Sequence, residues 1–148
     1  MRETAAVLAT LFTCSALAQS QGVAHVLGCY SVTWSDSLNS SANRRYYNLP
    51  LAFRLEAQED TSLHQRMPLS FVVTLLGTTP DSFPESPRAS WRLIGRDSVN
   101  ISMRGWPPIH WELLLVARRD SLTGRVWGTV GDGVVGPYPV YATRIACK

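Results

Sequence analysis

From residue 28 onward the chain alternates apolar and polar side chains with a period of two, the signature of strands that bury one face. Tyr30, Val32 and Trp34 interleave with Ser31, Thr33 and Ser35. Leu49, Leu51, Phe53 and Leu55 follow, with Arg54 and Glu56 on the other side. The pattern resumes at Leu69, Phe71, Val73 and Leu75, then at Trp91 and Leu93. Val99, Ile101 and Met103 alternate with Ser98, Asn100, Ser102 and Arg104. Ile109, Trp111, Leu113 and Leu115 form a sixth run, less cleanly because Leu114 and Val116 are apolar too. Residues 122–130 make a seventh and 138–147 an eighth.

Eight short strands separated by turn signals predict an all-β domain over 28–148, either a barrel or a β-sandwich. The connections favour an eight-stranded up-and-down antiparallel barrel. Gly95-Arg96 and Arg119-Asp120-Ser121 read as tight turns at one end, which also receives the longer stretch 56–68. The other end receives the Ser/Asn-rich stretch 35–45, the Pro-rich stretch 77–90, Gly105-Trp106-Pro107-Pro108 and the stretch 131–137. Long irregular loops gathered at one end are where binding usually resides. The faces opposite the apolar stripes carry Arg54, Glu56, Arg92, Asn100 and Arg104. Those faces meet water, not the apolar band about 25 Å tall that an outer-membrane barrel presents to lipid.

The first 18 residues read as a secretory signal. Arg2 supplies a weak basic start, Ala5 to Leu17 a short apolar run, and Ala16-Leu17-Ala18 the small-x-small pattern that signal peptidase accepts. The run falls short of the ~20 apolar residues a bilayer span needs. A buried N-terminal helix is one alternative; a lipoprotein anchored through Cys14 is another, weakened by Thr13 before it. Cleavage after Ala18 leaves an arm, 19–27, and about 130 residues in all, enough for one domain with a core. Cys29 and Cys147 then remain near the two ends of the mature chain. In a periplasmic or extracellular setting they predict one disulfide joining the first strand to the last, with two buried free thiols as the alternative.

That disulfide suggests a register. With Cys29 directly opposite Cys147, Ser31 faces Ile145, Val32 faces Arg144 and Trp34 faces Ala142. Both cysteines then point outward, and Tyr30, Trp34 and Arg144 point inward. Arg144 lies diagonally between the two rings, within reach of a cation–π contact. A register offset by one residue would instead turn Arg144 to water.

Gly28-Cys29-Tyr30 at the start of the first strand, with Arg144 on the last, resembles the closed end of lipocalins and their calycin relatives. Those proteins open with Gly-x-Trp and set an Arg or Lys against the ring. Here Tyr stands for Trp, and neither the later lipocalin motif nor the C-terminal helix is present. The chain is also similar to small exported bacterial proteins with Cys-Tyr near the start and Arg-x-x-Cys at the end. The calycin resemblance implies a barrel whose interior rings line a ligand cavity.

The formal net charge of +3 invites a nucleic-acid partner, but the charges do not support one. All but Lys148 of the fourteen basic residues are Arg, and only Arg44-Arg45 and Arg118-Arg119 are adjacent. That is far from a basic stripe. His25, His64 and His110 share no metal-ligand spacing. There is no Gly-x-Ser-x-Gly elbow or phosphate loop, Gly131-Asp132-Gly133 reads as a turn, and Glu112 should point outward with His110. Neither enzyme activity nor a cofactor is expected.

The aromatics carry the functional lead. Trp34, Phe53, Phe71, Trp91 and Trp111 fall on inward positions of different strands. They could line a cavity for an apolar or flat small molecule, or simply fill a small barrel. Trp106 and Tyr47, with Tyr46, Phe83 and Tyr138, could rim the long-loop end or form a docking patch. Two readings follow: an exported small-molecule-binding protein, or an envelope structural or protein-interaction module with a packed barrel.

Overall fold

The computed structural model describes residues 23–39, 49–60, 70–77, 88–105 and 109–148. The signal-like segment, Cys14, Tyr46, Tyr47, His64, Leu69, Phe83 and Trp106 lie outside the described residues. The elements are β1 (Gly28–Trp34), α1 (Asp36–Asn39), β2 (Ala52–Glu59), β3 (Phe71–Leu76), β4 (Arg88–Ile94), β5 (Ser98–Gly105), β6 (Ile109–Arg118), β7 (Ser121–Val130) and β8 (Gly133–Ile145). Among the described residues eight strands close into one barrel in sequence order, β8 returning antiparallel to β1. From β4 onward the tight links β4–β5, β6–β7 and β7–β8 dictate this order, because an antiparallel neighbour is the only one a tight turn can reach.

The period-two alternation sets the inside. Tyr30, Phe53, Leu55, Trp91, Ile101, Leu113, Leu115, Leu122 and Val126 are fully buried within one apolar core. Two short segments seal its ends. Val23 and Val26 of the N-terminal arm join the core beside Gly28, and Leu38 of α1 and Leu49 join it beyond Trp34. The Trp34 indole fixes the latter end by donating to the Pro50 carbonyl at 2.8 Å.

At the other end one side chain organises the closure. The Arg144 guanidinium lies 5.1 Å from the centroid of the Tyr30 ring. It donates to the Leu27 carbonyl at 2.6 Å, the His25 carbonyl at 2.7 Å and the Tyr30 hydroxyl at 2.7 Å. The Tyr30 hydroxyl in turn donates to the Val26 carbonyl at 2.9 Å. A guanidinium needs many acceptors when it leaves water, and here carbonyls of the arm supply them. Gly28 makes the approach sterically feasible: with φ at 133°, a Cβ there would stand 2.9 Å from Arg144 Nη1.

Cys29 and Cys147 form the disulfide, with Cα atoms 5.3 Å apart. The register differs from the one their direct opposition implied. Cys29 pairs with Ile145, Tyr30 with Arg144 and Trp34 with Val140, a shift of two residues. Cys147 lies beyond the end of β8 and reaches Cys29 from there. A shift of two preserves the alternation of faces, so Arg144 stays on the Tyr30 side and now stands directly opposite it. Cys29 is on the outer face yet buried, covered by Arg54, whose Nε lies 3.4 Å from its Sγ.

Further sequence expectations change. Arg88, Ala89 and Ser90, read as part of the Pro-rich link, already belong to β4, and the Gly95-Arg96 turn spans three residues, Ile94 pairing with Ser98. The stretch 131–137 is not a long loop: Val130 pairs with Gly133 around a two-residue turn, and β8 runs on through Val134 and Val135. Gly131, at φ 59°, supplies the left-handed turn residue, and a register shift between Val126 and Gly128 absorbs the irregularity near Gly136-Pro137. Leu51, expected inward, is exposed; Pro50 breaks the alternation, and β2 begins at Ala52.

Reducing the disulfide should lower the unfolding free energy by about 4–5 kcal/mol, since it closes a loop with a sequence separation of 118. Urea unfolding with and without reductant measures this; equal midpoints would contradict it. A second expectation concerns alkaline pH. Burial pushes the Tyr30 phenol above its ordinary 10.0, Arg144 opposes the shift by its charge, Asp120 adds to it, and the Arg144 hydrogen bond again opposes it. The unfolded chain therefore releases this proton first, and stability should fall as pH climbs past 10.0. In Tyr30→Phe that decline should be shallower than in the parent chain, whatever the substitution does at neutral pH.

Candidate functional site

The inward aromatics are taken up with one another and with the wall. Tyr30 and Phe53 have ring centroids 5.6 Å apart, and Phe71 and Trp91 4.9 Å, both tilted by about 30°. Trp91 Nε1 donates to the Glu56 carbonyl at 2.9 Å. Trp111 packs on Gly128, where a Cβ would come within 2.6 Å of the indole. Trp34, Phe53, Trp91 and Trp111 are all buried, whereas Phe71 is half-buried against the core. Tyr138 packs on the core from the β8 side. Tyr47 and Trp106 lie outside the described residues, so the aromatic rim is not described either.

A cleft of about 230 Å³ lies elsewhere, on the outer wall over β4, β5 and β6, with Asp60 and Ser70 at one edge. Its floor is a regular grid. The β4–β5 hairpin sets Arg88 opposite Arg104, Ser90 opposite Ser102 and Arg92 opposite Asn100. The β5–β6 pairing continues these rows, with Ser102 opposite Glu112 and Arg104 opposite His110. Period two sends all of them outward, because Trp91, Ile101 and Trp111 point in.

Half of this grid is internally satisfied. Arg92 Nε donates to Asn100 Oδ1 at 3.2 Å, and Asn100 Nδ2 donates to Glu112 Oε2 at 2.8 Å and to the Leu113 carbonyl at 3.4 Å. Glu112 Oε1 lies 2.7 Å from His110 Nε2. Asn100 is the buried polar residue of the described set, and its amide joins a cation to a carboxylate. The other half is not balanced: Arg88 and Arg104 are exposed, and among the described residues neither forms an ion pair.

Sequence reasoning placed Arg92, Asn100 and Arg104 outward and read them as a solvated face; it did not name Arg88. The signal that joins them is the hairpin itself. Counting outward from Arg96, the middle of a three-residue turn over 95–97, brings Arg88 to Arg104, sixteen positions away in the chain. The cleft lies on the wall of the barrel, with its arginine end toward the Gly105–Ile109 pair of β5 and β6.

No protein-family model matches this chain, and no curated protein or solved structure matches it either. Among the described residues no group of His, Cys, Asp and Glu could hold a metal ion, and no helix is long and apolar enough to cross a membrane.

The Asn100 bridge gives a stability expectation. Asn100→Ala leaves the half-buried Glu112 short of a donor and the Arg92 Nε without its acceptor. A loss of about 1–3 kcal/mol is expected in chemical unfolding, and Asn100→Asp should lose more, because it sets a second carboxylate against Glu112. No change in either variant would show that water replaces the bridge without loss.

Proposed function

We propose that this chain is an exported binding module: a packed barrel that engages its ligand or partner on the outer wall of β4, β5 and β6, without catalysis. One observation carries the reading. The axis is filled by Tyr30, Phe53, Trp91 and Trp111 and sealed by Val26 and Leu38, while the charged concavity lies outside. A ligand held within the barrel would have to displace buried rings, each worth several kcal/mol of packing. An outer cleft requires no such rearrangement.

Export is supported by the signal-like start and by a disulfide that an oxidising compartment favours. The placing of Arg144 over Tyr30 beside Gly28 supports counting the barrel with the calycins, on architecture and closure alone.

Native mass spectrometry of the disulfide-closed chain tests the choice between inside and outside. The expected spectrum shows the polypeptide mass alone. One equivalent of an apolar small molecule, retained under gentle conditions and released by organic solvent, would overturn the outer-wall reading.

A further inference from the structure

We propose that the arginine end of the cleft binds a phosphate monoester carried on a small polyol. The proposal rests on the outer-wall reading and gives that surface a ligand class. Arg88, Arg104 and His110 form one row across three adjacent strands. Side chains directly opposite in an antiparallel pair have Cβ atoms about 5 Å apart, and like charges placed so repel. Packing does not require the arrangement, because both arginines are exposed. An acidic residue at either position would stabilise the sheet; instead, among the described residues, neither arginine has a carboxylate partner. An anion shared between them removes the repulsion and uses both guanidinium forks.

Charge and geometry select the anion. A carboxylate is planar and singly charged, and one guanidinium fork engages both its oxygens and neutralises it. Two forks rising from neighbouring strands leave a positive charge over. A phosphate monoester brings close to two negative charges and three acceptor oxygens that are not coplanar, which suits donors arriving from two directions. Arginine is the residue for this work, being always charged and presenting its donors in a fixed geometry.

The rest of the cleft describes what carries the phosphate. Ser90 and Ser102 stand opposite each other next to the arginine row, with Glu112 beyond Ser102. Hydroxyls and a carboxylate match ligand hydroxyl groups, and Glu112 repels a second anion at that end. The volume of about 230 Å³ is below the ~300–1,000 Å³ of sites for drug-sized ligands, so the carrier is compact.

Isothermal titration of the disulfide-closed chain with inorganic phosphate, glycerol phosphate, acetate and glycerol tests this. Both phosphates are expected to bind at one site, glycerol phosphate more tightly, and acetate and glycerol not at all. Arg88→Met and Arg104→Met should each weaken phosphate binding by about tenfold. Arg125→Met, exposed on β7, should leave it unchanged, and Ser102→Ala should narrow the gap between the two phosphates. Acetate binding as well as phosphate, full affinity in both arginine variants, or equal affinity for the two phosphates would each overturn the proposal. Vesicles of phosphatidylcholine containing phosphatidic acid should not retain the chain; retention there without binding of glycerol phosphate would make a membrane headgroup the ligand and overturn it too. A chain that binds neither phosphate yet sprays without an interior ligand loses this inference alone. A co-purifying apolar ligand overturns the outer-wall reading, whatever the phosphate result.

Discussion

The closed end of this barrel depends on one charge. A guanidinium on the inner face of a strand, between Ala142 and the chain end, would cost several kcal/mol if left unpaired. Arg144 escapes that cost by covering the Tyr30 ring and donating to the carbonyls of residues 25 and 27. The same contacts hold the N-terminal arm across the barrel end and carry Val26 into the core. They also tie β1 to β8 in one register, Tyr30 opposite Arg144, which the disulfide then locks from the outer face. Closure, register and end-seal are therefore a single arrangement, and Gly28 is its steric condition.

Among the described residues the opposite end is covered differently, mainly by apolar burial. Leu38 and Leu49 cover the core, and the Trp34 indole anchors the chain at Pro50. With both ends covered and the axis filled with rings, the interior has become the stabilising part of the molecule. On the proposed reading, recognition belongs to the outer wall. A sheet can serve both purposes because successive side chains face opposite ways: Trp91 and Ile101 belong to the core, and Arg92 and Asn100, one residue along, belong to the cleft.

The cleft itself mixes two electrostatic conditions within a few residues. Around Asn100 every formal charge has a partner, and the Arg92–Asn100–Glu112–His110 chain stiffens three strands. One row away, Arg88 faces Arg104. The satisfied half forms a bonded floor across three strands; on the proposed reading the unsatisfied half would supply the attraction, with donors already placed so that less ordering is needed on binding.

Much of this was legible in the chain. Alternation of apolar and polar residues is a local property, so the eight strands, their inward faces and the all-β class could be read directly. The up-and-down barrel followed from link lengths, and the disulfide from two cysteines near the ends. Arg144, a charge on an otherwise apolar face, required a partner on electrostatic grounds alone. What tertiary structure decided were relations between distant segments. The two-residue difference in the β1–β8 register could not be read, because a shift of two leaves every face unchanged and so leaves no trace in the pattern. Burial of Val26 and Leu38 was hidden because each belongs to a segment too short to show a period. The cleft was half visible: alternation turned Arg92 and Arg104 outward, but their neighbours are set by pairing. Only when β4 folds back on β5 and β5 on β6 do Arg88, Arg104 and His110 become one row.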